Sequence, residues 1–275
     1  MVSGGEQDAF GDLERQPSRR QVVGLETLRD ALARSEFRID YQPIVALQEH
    51  KITTYEALLR WEHPREGLVA PLDFIPLAEE SGLIVPIGTW VLEQACAFGA
   101  QLIADGREGI RVAVNVSARQ LQDHEFAHRV AECLEAHDLP ANSLTLEITE
   151  SVLLAAGDHV QRQLESLKKL GVMLALDDFG TGYASLAYLQ RFPVDILKID
   201  RTFTAQIAPT TEPVLLKGII ELGSALGLTL IAEGIETLEQ HQIVQRLGCH
   251  GAQGFYFGYP ERIPMTDLLV PAIAG

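Results

Sequence analysis

Along most of the chain, short apolar runs alternate with longer stretches in which apolar residues recur with helical spacing. The strand-like runs are 37–45, 53–61, 111–116, 143–149, 172–177, 195–199, 228–233 and a weaker one at 249–253. Helical patterns cover 89–103, 126–137, 158–170, 214–226 and 238–247, and Leu25, Leu28 and Leu32 mark an amphipathic helix ahead of them. A glycine follows Leu170, Leu226 and Leu247, the residue type that closes helices in left-handed backbone. Residues 1–22 carry Gly, Gln and charge without periodicity and read as a mobile tail, leaving 23–275 as the folded domain. Strands alternating with helices over this length predict an α/β fold, either a (β/α) barrel or a doubly wound sheet.

The phase of the polar residues separates these two. Val112, Val114 and Val116 share one face of their strand, and Ala113 and Asn115 the other. Leu144, Leu146 and Ile148 oppose Thr145 and Glu147; Val172, Leu174 and Leu176 oppose Ala175 and Asp177. In strand after strand, one face is bulky and aliphatic while the other runs from small residues to a carboxylate or amide at its C-terminal end. A doubly wound sheet gathers such groups at one crevice. A barrel spreads them over nearly every strand and collects them at one mouth, so the pattern predicts a barrel.

Composition narrows the chemistry. Asp and Glu total 38 against 22 Lys and Arg, a net charge of −16, which excludes a protein that coats a nucleic-acid polymer. No apolar run is long enough to span a bilayer, and the start of the chain lacks a signal-peptide pattern, so no membrane and a cytoplasmic location are expected. The three cysteines, Cys96, Cys133 and Cys249, form neither a disulfide frame nor a zinc pattern, which fits reduced thiols.

Collected in chain order, the strand-end groups are Glu56 and Arg60, Asn115, Glu147 and Glu150, Asp177 and Asp178, Lys198 and Asp200, Glu233 and Glu236, then Gln253. Carboxylates crowded into one cavity repel one another unless cations lie among them. Oxygen donors without His or Cys select Mg²⁺ or Mn²⁺ over zinc. The adjacent Asp177-Asp178 pair suits two ions, which at a separation of roughly 3.5–4 Å clamp a phosphoester for displacement. Arg60 and Lys198 supply positive charge for a phosphate.

Tyr41-Gln-Pro-Ile-Val45 and Glu56-Ala-Leu-Leu-Arg-Trp61 resemble the opening signature of the EAL domain family. The resemblance continues through Asn115-Val-Ser117, Glu147-Ile-Thr-Glu150, Asp177-Asp-Phe-Gly-Thr-Gly182, Lys198-Ile-Asp200, Ala232-Glu-Gly-Ile-Glu236 and Gln253-Gly-Phe-Tyr-Phe257. It implies a modified TIM (β/α)8 barrel whose first strand runs antiparallel to the rest. The activity it implies is opening of cyclic di-GMP to linear 5′-pGpG with Mg²⁺ or Mn²⁺, two per site; Ca²⁺, larger and less strict in geometry, is expected to inhibit by occupying the site with little turnover. Carried over, Glu56, Asn115, Glu147 and Asp177 hold one metal, and Asp177 and Asp178 the second. Lys198 orients the attacking water and phosphate, and Glu233 binds through metal-bound water as general base. Gln42, Arg60, Asp200 and Gln253 fall to the substrate. Glu150 and Glu236 anchor loops; the loop 179–186, held by Glu150, couples metal occupancy to dimerisation in a homodimer. The chain departs from the family pattern at His250-Gly251 and at Tyr259, both expected at the rim. A receptor that binds the cyclic dinucleotide without cleaving it is the alternative, though such relatives lose ligands or the lysine, and all are present here.

Two motifs have plainer readings. His124-Glu-Phe-Ala-His128 matches the H-E-x-x-H pattern of zinc proteases, but Phe126, Val130, Cys133 and Leu134 define a buried face almost opposite both histidines. Phe255, Tyr256 and Phe257 read as core packing, with base stacking the alternative for Phe255 or Tyr256.

Overall fold

The computed structural model describes residues 24–150, 152, 157–180, 191–207 and 213–263. The predicted tail and most of the loop 179–186 lie outside these residues. Strands are β1 (Phe37–Ala46), β2 (Lys51–His63), β3 (Gly67–Val69), β4 (Arg111–Asn115), β5 (Leu144–Thr149), β6 (Met173–Phe179), β7 (Ile196–Ile199), β8 (Thr229–Ala232) and β9 (Gly251–Gln253). The chain forms two compact units, one of Met1–Arg38 with Leu59–Ile87, the other of Ile39–Leu58 with Gly88–Gly275.

In the larger unit the strand order is β1-β9-β8-β7-β6-β5-β4-β2, and a β1–β2 pairing closes the barrel. Every pair from β2 to β9 in that order is parallel, with Glu56 opposite Ala113, Asn115 opposite Glu147 and Thr149 opposite Asp177. β1 runs antiparallel to β9, Ile44 facing Gln253. The structure is thus the modified barrel with a reversed first strand.

Inside the barrel, Ile44, Ala175, Ile196 and Ile231 pack into a buried floor with Met173 against it. Two residues further along each strand stand Gln42, Asp177, Lys198 and Glu233, counted backwards in β1 because it is reversed. Period two therefore puts the polar layer directly above the apolar one. The alternate face (Leu174, Leu176, Leu197, Ile199 and Leu230) is buried as well, which accounts for its unbroken aliphatic character.

The surrounding helices include Ile84–Ala104, Phe126–Ala136, Asp158–Leu170, Val214–Ala225 and Leu238–Leu247. The first begins at Ile84, earlier than its predicted start at 89, because Pro86 and Gly88 sit in its opening turns, where a missing N–H costs little. Helix Phe126–Ala136 buries Phe126, Val130, Cys133 and Leu134. His124 and His128 are exposed, His128 Nε2 lying 3.3 Å from Glu132 Oε1. Left-handed glycines Gly171 and Gly248 close Asp158–Leu170 and Leu238–Leu247.

The smaller unit is organised around fully buried Trp61, whose ring centroid lies 6.0 Å from that of Phe37 and 5.6 Å from that of Phe74. Trp61 Nε1 donates to Glu36 Oε2 at 3.0 Å. Here β2 and β3 form an antiparallel pair, followed by a helix, Pro71–Ser81, that the apolar periodicity did not reveal. Among the described residues no helix is long and apolar enough to cross a membrane.

Candidate active site

At the mouth of the barrel, Lys198 is 1 % exposed and stands among carboxylates contributed by four other strands or strand ends. Its Nζ lies 2.8 Å from Glu147 Oε2 and 2.8 Å from Glu233 Oε1, with Glu56 Oε2 at 3.5 Å. Asp177 Oδ1 is 3.1 Å away, but without hydrogen-bond geometry, so this buried oxygen accepts no hydrogen bond. Asn115 Nδ2 donates to Glu56 Oε1 at 2.8 Å, and Gln253 Nε2 to Glu56 Oε2 at 2.6 Å. Gln253 Nε2 also reaches Gln42 Oε1 at 3.0 Å, and Gln42 Nε2 donates to Gly258 O at 3.1 Å. Glu56, Asn115, Glu147, Asp177, Lys198, Glu233, Gln253 and Gln42 are thus brought into one cluster by hydrogen bonds and ion pairs.

Asp178 joins it through a departure from regular strand geometry. Consecutive strand residues ordinarily face opposite ways. The β6–β7 register shifts between Leu176 and Phe179, and Asp178 takes φ +54°, a conformation Asp tolerates better than most residues. As a result Asp177, Asp178 and Glu233 each offer a carboxylate oxygen, all within 4.8 Å of one another.

The electrostatics follow from burial and crowding. Burial alone would raise Glu56, but the Lys198 charge and the hydrogen bonds from Gln253 and Asn115 outweigh it, so its carboxyl is held below the usual range. Glu147 is pushed well up by burial and by the neighbouring Glu56 charge, more than Lys198 offsets. Burial pushes Glu233 up to about 8, with Lys198 opposing and Asp177 and Glu56 reinforcing. Asp178 rises through burial and the charges of Asp177 and Asp200. Burial would lower Lys198, yet Glu147, Glu233 and Glu56 drive it well above a lysine's ordinary range.

The remaining predicted residues stand outside the bonded cluster round Lys198. Glu150 Oε2 accepts from the Gly180 N–H at 3.2 Å, at the start of the loop that continues outside the described residues. Asp200 Oδ1 caps the turn Arg201–Thr204, accepting from Thr202 N at 2.9 Å. Glu236 is exposed, and among the described residues its carboxylate makes no anchoring bond; its N–H is held by Gln240 Oε1 at 2.7 Å. Arg60 belongs to the smaller unit, half-buried, and donates to Leu59 O. His250 is not at the rim. It precedes β9, which runs parallel to β8, so it lies at the end away from the mouth, where its Nδ1 accepts from Leu230 N at 3.0 Å. Phe255 and Tyr256 are exposed rather than core residues, since the chain has left the barrel wall by then; Phe255 stacks on Tyr259 at 4.5 Å. Sequence reasoning missed Thr204, whose hydroxyl donates to Glu233 O, because a threonine in a short turn after a strand carries no signal of its own.

Fold and site together define a TIM-like barrel with an acidic centre, built round one lysine at the C-terminal ends of its strands. Comparison with known proteins makes this specific: the EAL domain family model matches residues 25–260, and the chain belongs to that family. It is 42% identical over 253 residues to the bifunctional diguanylate cyclase/cyclic di-GMP phosphodiesterase MucR of Pseudomonas aeruginosa, covering 92% of this chain and 37% of that protein. It is 42% identical over 244 residues to the cyclic di-GMP phosphodiesterase NbdA of the same organism, covering 88% of this chain and 31% of that one. The chain therefore spans about a third of the length of these relatives. A solved structure described as the PaMucR phosphodiesterase in complex with c-di-GMP superposes with a TM-score of 0.81 at 43% identity, covering 86% of this chain and 96% of the other.

Proposed function

We propose that this chain is a metal-dependent phosphodiesterase that opens cyclic di-GMP to linear 5′-pGpG. The observation that carries the reading is the site itself. Glu56, Glu147, Asp177, Asp178 and Glu233 share one mouth with the Lys198 ammonium, and three of them converge oxygens within 4.8 Å. Asp177 Oδ1 accepts no hydrogen bond and lies 3.1 Å from Lys198 Nζ, a position that favours positive charge, and an all-oxygen donor set suits Mg²⁺ or Mn²⁺. Likeness to proteins named cyclic di-GMP phosphodiesterases supports the substrate.

Glu56, Asn115, Glu147 and Asp177 would hold one ion, and Asp177, Asp178 and Glu233 the other. When bound, such a pair supplies Lewis acidity and an activated water. Glu233, its carboxylate beside Lys198 Nζ and within 4.8 Å of the Asp177 and Asp178 oxygens, is placed to take a proton from the attacking water. Lys198 holds positive charge where the phosphoryl oxygens gather; the new bond joins water oxygen to phosphorus, and the bond to the ribose 3′-oxygen breaks. Gln253 bridges Gln42 and Glu56, and both glutamines line the substrate side. A cytoplasmic location and a homodimer, with Glu150 anchoring the loop that couples metal to dimerisation, complete the reading.

Incubation with cyclic di-GMP and Mn²⁺, followed by chromatography, tests it. The expected product is pGpG, lost in EDTA, lost in Glu56→Ala and Asp177→Asn, and poorly supported by Ca²⁺. Binding without cleavage in the presence of Mn²⁺ would mark a receptor instead, and undiminished cleavage in EDTA would overturn the metal mechanism.

A further inference from the structure

Glu233 follows Ala232, the last residue of β8, and its N–H makes the final bond of the β7–β8 ladder. Its carboxylate sits 2.8 Å from Lys198 Nζ. A side chain at the end of a ladder keeps a fixed position only if the rest of its backbone is held by other means.

The Glu233 N–H donates to Ile199 O at 3.0 Å, and its carbonyl accepts from Thr204 Oγ1 at 2.5 Å. Thr204 is fully buried and ends the short turn Arg201–Thr204 that follows β7, whose start Asp200 caps. Its hydroxyl has one proton and two carbonyls within reach, Glu233 O and, at 3.1 Å, Arg201 O; the shorter contact takes the proton. Gly234 makes the approach feasible. At φ +67° it crosses the turn so closely that a Cβ there would press on Arg201 Cβ at 2.5 Å. Gln240 ties the far end, donating from Nε2 to Thr204 O at 3.3 Å and accepting at Oε1 from Glu236 N at 2.7 Å and Thr237 N at 3.1 Å.

We propose that Thr204 is a positioning residue for Glu233, its hydroxyl fixing the peptide that aims the Glu233 carboxylate at the cation site. This deepens the metal-phosphodiesterase reading and rests on it. A fully buried hydroxyl is costly unless bonded, and valine would fill the same space without that cost. The bond to the Glu233 carbonyl gives the hydroxyl its role. Partners that orient a ligand from behind it typically change metal affinity 10–100-fold when removed.

The test uses the full chain, with Mn²⁺ affinity measured by electron paramagnetic resonance beside steady-state kinetics on cyclic di-GMP. Thr204→Val is expected to weaken Mn²⁺ binding about tenfold and to lower kcat about tenfold, with KM within about twofold. Thr204→Ser, which keeps the hydroxyl, is expected to stay within about twofold of the parent in both. If Thr204→Val does not fold, Thr204→Ala carries the same comparison against Thr204→Ser. Unchanged Mn²⁺ affinity in Thr204→Val overturns the proposal. So does an equal loss in Thr204→Ser, which would assign the effect to packing of the methyl group. Should the parent bind Mn²⁺ but leave cyclic di-GMP intact, the phosphodiesterase reading falls, and the Mn²⁺ comparison still decides the role of Thr204.

Discussion

Lys198 is the residue on which the site's electrostatics turn. A buried ammonium is tolerated because carboxylates surround it, and removing it leaves them uncompensated. Lys198→Met is expected to destabilise the metal-free protein by about 3–5 kcal/mol, read from urea unfolding in EDTA, with added Mn²⁺ recovering part of the loss. The raised carboxyls set a pH dependence. In the metal-free state Glu233 keeps its proton up to about 8, whereas the unfolded chain loses it near the ordinary value of 4.5. Between those values the unfolded state binds fewer protons than the folded one, so stability falls as pH rises. Glu147 acts in the same direction, while Lys198, raised in the folded state, contributes fully until pH passes the ordinary lysine range. Thermal melts in EDTA should therefore give a lower Tm at pH 8 than at pH 5.5, with a shallower slope in Glu233→Gln. Among single residues, the strand-end acids were legible because they recur in one phase. Asp178 facing the same centre as Asp177 was not a matter of phase, since alternation sends neighbours apart; it depends on a backbone irregularity at φ +54°.

Elements were legible where period and punctuation agreed. Helices Asp158–Leu170 and Leu238–Leu247 begin and end where the pattern places them, because apolar spacing and a terminal glycine coincide. Pro71–Ser81 escaped because Pro76 interrupts it and only Phe74 and Ala78 are buried, although Pro71 at its start and Gly82 after its end were usable signals. The segment linking β8 to β9 offers an element-level test. Ile235 N donates to Gln253 O at 3.0 Å and Tyr256 N to Ile235 O at 2.9 Å, and a Cβ on Gly254 would overlap the Ile235 backbone. Gly254→Ala is expected to cost about 1–3 kcal/mol in urea unfolding, because backbone rather than a flexible side chain has to move. Thr237→Ala, which removes the cap accepting from Gln240 N, should cost about 1 kcal/mol by the same measurement.

For the molecule as a whole, the barrel was legible in the spread of polar strand ends, but the reversal of β1 was not. A strand buried on both faces carries the same residues in either direction, and its sense is fixed only by its partners β9 and β2. The thiols give a global probe. Burial pushes Cys96 and Cys249 up to about 12 and Cys133 to about 11, on separate elements. At pH 8 the native protein should resist iodoacetamide over minutes, and all three thiols should react in urea. Rapid modification of the native protein would contradict the packing of these helices and of the β8–β9 wall.

The lysine at the barrel mouth also bears on how the molecule is made. With an internal ammonium already bonded to the acids, a newly synthesised chain has a workable counter-charge before it meets any divalent ion. Assembly and loading can then be separate events, and scarcity of a divalent ion would leave folded barrels instead of unfolded chains.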